Sequence, residues 1–133
     1  MKTCRLFLIL ALCTLLVPAC SEEPEPAGTV PDSWENVLEQ SRGTTVRFYM
    51  YGGWAHVNTW IDTFVASRLK DQYGITLVRV PMDAPVFVNK LVTEHAANLE
   101  EGSIDLVWIN GENFRNAMEA GVLFGPYAAR LPN

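Results

Sequence analysis

Residues 104–109 (IDLVWI) form a nearly uninterrupted apolar run of strand length, and such a run needs cover on both faces of the sheet it joins. Asn110-Gly111 breaks it, and the spacing over residues 112–120 then predicts a helix that ends at Gly121. The same unit occurs twice upstream. Residues 45–51, which include Tyr49 and Tyr51, are β-branched and aromatic, read as a strand, and stop at Gly52-Gly53. Val57, Trp60, Ile61, Phe64, Val65, Leu69 and Tyr73 follow at a 3.6-residue period, with Gly74 as the stop. Residues 75–80 read as a second strand closed by Pro81. Phe87, Val88, Leu91, Val92, His95, Ala96 and Leu99 then recur at helical spacing, with Pro85 near the start and Gly102 past the end. A short helix precedes all three units: Ser33 can cap it, Asn36 sits where a capping box prefers Glu or Gln, and Gly43 ends it. Strand and helix in strict alternation predict an α/β fold with a parallel βαβαβα sheet and right-handed crossovers.

The first 32 residues do not belong to that pattern. Lys2 and Arg5 precede an apolar stretch at residues 6–17, the layout of a secretory signal, and the stretch is short of the roughly twenty residues needed to span a bilayer. It closes on Val17-Pro18-Ala19-Cys20, which resembles a bacterial lipobox. Residues 1–19 are therefore expected to be a lipoprotein signal peptide and Cys20 the lipidated residue, with cleavage without acylation as the alternative. All three cysteines (Cys4, Cys13, Cys20) lie at or before that site, so the remainder has no thiol for a disulfide, a metal or nucleophilic catalysis. Residues 21–32 hold three prolines and three glutamates before Asp32; with so little apolar surface, residues 20–32 are expected to be a disordered tether.

Loss of Lys2 and Arg5 with the signal leaves eight basic and fifteen acidic side chains, a formal charge of −7. No basic stripe is present, which argues against nucleic-acid binding. Residues 33–133 are about a hundred, enough for one small core.

In open parallel sheets ligands bind beyond the carboxyl ends of the strands. Two patches fall there. Tyr51, Gly52, Gly53 and Trp54 follow the first strand; the glycines permit positive φ and close approach, and the two aromatic rings can form a stacking or cation–π wall. Asn110, Gly111, Glu112 and Asn113 follow the third, where amides, a carboxylate and the free N–H groups of a helix start converge. Each patch read singly is as well explained by a tight turn or a helix cap; together they suggest one ligand cleft. His56 is expected in an exposed loop, His95 partly buried, and Trp60, Trp108 and Phe114 in the core. The chain holds no G-x-S-x-G, H-E-x-x-H, P-loop or G-x-G-x-x-G pattern, so no catalytic residue, metal ligand or cofactor is assigned. A small enzyme using Glu112 remains a separate class.

The lipobox, Gly52-Gly53-Trp54, the Tyr73-Gly74-Ile75 join and above all Asp105 through Phe114 (DLVWINGENF) resemble the extracellular solute-binding proteins of ABC importers, in particular their YnjB-like subgroup. The resemblance implies a type II periplasmic-binding fold whose two lobes close on a small solute and pass it to permease and ATPase subunits. It covers residues 33–133 but only the first third or so of such proteins. The expectation is thus the first part of an N-terminal lobe, truncated, membrane-anchored in the periplasm or cell envelope and impaired in binding on its own for want of an opposite wall; the rival reading is that a second chain supplies that wall. A small envelope lipoprotein with a structural or interaction role is the alternative. Aromatic and acidic groups favour a cationic organic solute such as thiamine or a polyamine, whereas helix N-termini favour anions.

Overall fold

The computed structural model describes residues 33–132, so the signal peptide, Cys20 and the tether lie outside the described residues. α1 spans Trp34–Ser41 and starts where Ser33 Oγ accepts from the Asn36 N–H at 3.2 Å. β1 (Thr45–Met50) follows, then a continuous helical stretch over residues 55–73. That stretch is α2 (Ala55–Trp60), a π-helical turn (Ile61–Val65) and α3 (Ala66–Tyr73). Gly74 ends it at φ 73°, with its N–H donating to Lys70 O and the Ile75 N–H to Leu69 O, a left-handed stop that suits glycine. β2 (Thr76–Pro81), α4 (Ala84–Ala96), β3 (Leu106–Val107) and α5 (Gly111–Glu119) complete the alternation, with a short 3₁₀ turn at Ala128–Arg130.

The three strands are parallel in the order β2-β1-β3, in agreement with the α/β expectation. β1 is central, and its period-2 alternation feeds two cores. Phe48 and Met50 pack with Ile61, Val57, Val65 and Leu77 on the face of the 55–73 helix. Tyr49 packs with Phe87, Val88 and Ala117 on the face of α4 and α5, with Val107, Ile109 and Ile104 around them. Pro81 is the last residue of β2 and not its terminator: it pairs with Met50, and Met82 donates to Met50 O at 2.9 Å. Alternation turns the Pro81 nitrogen to the outer flank of an edge strand, where no N–H is required.

Three expectations change. β3 pairs over two residues rather than six, although Asp105 and Trp108 N–H still reach Arg47 O and Tyr49 O. It pairs with β1 alone among the described residues, and only one of its faces is covered. Leu106 and Trp108, directed away from the α4–α5 core, are each 44 % exposed. Trp60 and Phe114 are half-exposed too, not core, and His95 is exposed. On the 55–73 helix the inward stripe is Val57, Ile61, Val65 and Leu69, with Ile61 buried and the other three half-buried. Trp60 and Phe64 form the neighbouring stripe, stacked at 6.0 Å with Arg68 over Phe64 at 5.6 Å. The π turn inside the helix carries Asp62, whose carboxylate takes a two-pronged bond from Arg79 on β2 (2.8 and 2.6 Å). Such turns widen the ladder by one residue per turn, a change in local winding to which a 3.6-residue pattern is blind.

Candidate functional site

Chain direction decides where a site can form. All three strands point the same way, so the loops after β1, β2 and β3 meet at one end of the sheet. With β1 in the middle and its neighbours on opposite sides, the strand order reverses at β1, the place where open α/β sheets leave a crevice. A cleft of about 380 Å³ lies there, lined by Tyr51, Trp54, Asp83, Ala84, Pro85, Phe87, Trp108 and Asn110. Every strand contributes: Tyr51 and Trp54 follow β1, Asp83 to Pro85 follow β2, and Trp108 and Asn110 follow β3.

The rings form a chain of edge-to-face contacts. Tyr51 and Trp54 lie 5.9 Å apart at 86°, and Trp54 and Trp108 6.1 Å apart at 82°. All three remain nearly half exposed, so their faces are available above a floor that includes the fully buried Phe87. Asp83 is the N-cap residue of α4, yet its side chain makes no capping bond, and Pro85 removes one N–H from that helix start. Asn110 likewise precedes α5 without a side-chain cap bond.

Of the eight residues that the sequence nominates, Tyr51, Trp54 and Asn110 line the cleft. Gly52, Gly53, Gly111, Glu112 and Asn113 do not. Glu112 turns outward, exposed and 3.6 Å from Arg115. The glycine pair does a different job from the one anticipated. Neither has positive φ; Gly111 does, at 52°. A Cβ on Gly52 would stand 2.9 Å from Pro81 Cβ, and one on Gly53 would overlap the Tyr51 ring. The pair therefore lets the end of β2 and the Tyr51 ring press onto the backbone. Asn58 holds the same loop from below, its buried side chain donating to Gly52 O at 2.7 Å.

These two glycines should respond differently to alanine. Gly53→Ala meets the mobile end of a side chain, so Tyr51 swings aside at a cost within about 0.5 kcal/mol, but the Tyr51–Trp54 contact is lost. Gly52→Ala presses on a proline within a paired strand and should cost about 1–3 kcal/mol. Urea unfolding of both variants, with the Tyr51 ring shifts by NMR, checks the contrast.

Sequence reasoning missed Trp108, Asp83, Ala84, Pro85 and Phe87. Trp108 lies within an apolar run, and such a run by itself reads as core. Asp83 and Pro85 carry a helix-start signal that conceals their position at a strand end. Among the described residues no group of three or more His, Cys, Asp or Glu is placed to hold a metal, and no helix is long and apolar enough to cross a membrane.

Over 107 residues the chain is 38 % identical to Protein YnjB of Escherichia coli (strain K12). Over that stretch the two are homologous. The match covers 79 % of this chain and 27 % of YnjB, so the chain spans about a quarter of the length of that relative. No protein-family model and no solved structure matches the chain.

Proposed function

We propose that the chain is a lipid-anchored solute-binding component of an ABC importer, held to the envelope membrane through Cys20 and working with permease and ATPase subunits. The observation that carries the reading is the convergence of all three strand-end loops on one aromatic cleft. Its volume falls in the range of about 300–1,000 Å³ common for small-molecule sites. The likeness to solute-binding proteins in the DLVWINGENF stretch supports it, since Trp108 and Asn110 of that stretch stand in the cleft wall. The described residues cover a solute from one side. Full capture would draw on an opposite wall from further polypeptide, and binding to this wall alone should be weak.

The test has two arms on the full chain in its bacterial envelope. Palmitate labelling should mark the protein and vanish in Cys20→Ala. A solute panel should raise the melting temperature of the wild type and not of Trp108→Ala. A chain that takes no label and answers to no solute would sink the proposal. A second reading, an envelope lipoprotein that docks another protein, has its own observation in the exposed Trp60–Phe64 stack. In that case Trp60→Ala, and not Trp108→Ala, would abolish cross-linking to an envelope partner.

A further inference from the structure

We infer that the cleft takes a small organic cation whose charge is carried on an alkylated nitrogen or a charged heteroaromatic ring. The inference rests on the reading of the cleft as a solute site and adds the sign of the solute's charge. Aromatic faces are the negative parts of their rings, and three rings here keep part of their surface open to one space. Their edge-to-face arrangement is the kind that surrounds a diffuse positive charge, since adjacent rings turn different aspects to a shared centre. Asp83 supplies formal charge at the rim. Its carboxylate is not engaged as a helix cap, and among the described residues it forms no ion pair.

The competing cue is the helix start, which favours anions. The geometry weakens it here. The α4 start has a carboxylate in front of it and a proline as its second residue, so its positive end is opposed by Asp83 and short of one N–H. No lysine or arginine lines the cleft. A negative chain, formally −5, also draws cations rather than anions. A bare metal ion fits poorly, because Ala84, Pro85 and Phe87 give the cleft apolar sides and Asp83 is its one carboxylate. A cation with its own apolar surface matches both the rings and that floor.

Choline is the probe, with 3,3-dimethylbutan-1-ol as its uncharged isostere and sulfate as the anion. Each is titrated into the full chain in detergent micelles. The indole N–H signals of the four tryptophans are followed by NMR, with Trp34 and Trp60 as internal controls against Trp54 and Trp108. Choline should move Trp54 and Trp108 and bind about tenfold tighter than the alcohol. Asp83→Asn should remove most of that preference while the alcohol binds as before. Equal binding of choline and the alcohol, or binding of sulfate instead, overturns the cation inference and leaves the cleft as a solute site. Silence of Trp54 and Trp108 toward all three probes overturns both. The comparison of isosteres needs no variant, so a folding defect in Asp83→Asn would not obscure it.

Discussion

Phe87→Ala should lower the unfolding free energy by about 3–5 kcal/mol, the range for deleting a fully buried aromatic ring. Phe87 is 0 % exposed and stands between the central strand and α5, in one cluster with Tyr49, Val88 and Ala117. It is also the floor of the cleft, so its loss opens a cavity beneath the three aromatic walls. A domain of about a hundred residues holds roughly 5–15 kcal/mol in total, and the variant would forfeit about a fifth of that or more. Urea denaturation should show the midpoint falling with the slope unchanged. The neighbouring Val86, half-exposed on the same helix, is the control: Val86→Ala should stay within about 0.5 kcal/mol. A loss below about 1 kcal/mol for Phe87→Ala would mean that α4 does not pack on the sheet as described.

What could be read from the sequence divides along a physical line. Features set by local chemistry were legible: the Ser33 cap, the Gly74 stop, the parallel sheet implied by alternation, and strand ends that become loops at one edge. Features set by which neighbour covers which face were not. The run at residues 104–109 is apolar on both of its faces, and nothing in it says that Val107 and Ile109 meet the α4–α5 core while Leu106 and Trp108 face open space. Trp60, Phe114 and His95 depart from expectation for the same reason, because helical spacing of apolar residues does not reveal which of them reaches the sheet. Three of the eight lining residues were therefore visible. Tyr51, Trp54 and Asn110 follow strands and could be placed there by topology alone. Trp108 was hidden by its own hydrophobicity, and Asp83 by its position as a helix cap.

The second large effect is a pH dependence centred on Glu94, which anchors the loop that leads into β3. Its carboxylate receives Lys90 Nζ at 2.7 Å, the Ser103 hydroxyl at 2.6 Å and the Ser103 backbone N–H at 2.9 Å. Lys90 first and Ser103 next hold its pKa down to about 2 from an ordinary 4.5, against a smaller opposing push from burial. A carboxyl whose pKa is lower folded than unfolded stabilises the fold once it is ionised in both states. The contribution is thus complete above about pH 4.5 and drains away as the pH falls toward about 2. The side chain is 14 % exposed, and after allowance for solvent screening the effect is about 2–3 kcal/mol. Glu94→Gln keeps the shape and can still accept from Ser103, but it loses the charge that both partners favour. At pH 7 it should cost about 2 kcal/mol, and its stability should change less than the wild type's between pH 5 and pH 2. Glu112→Gln, on an exposed side chain 3.6 Å from Arg115, should change little at either pH. Because the clamp fixes residue 103 and β3 begins three residues later, its release should also loosen Trp108 and Asn110. Hydrogen exchange at the Trp108 amide, bonded to Tyr49 O, would then quicken in Glu94→Gln. Parallel pH profiles for the wild type and Glu94→Gln would show that the three bonds to this carboxylate do not tie the loop to α4.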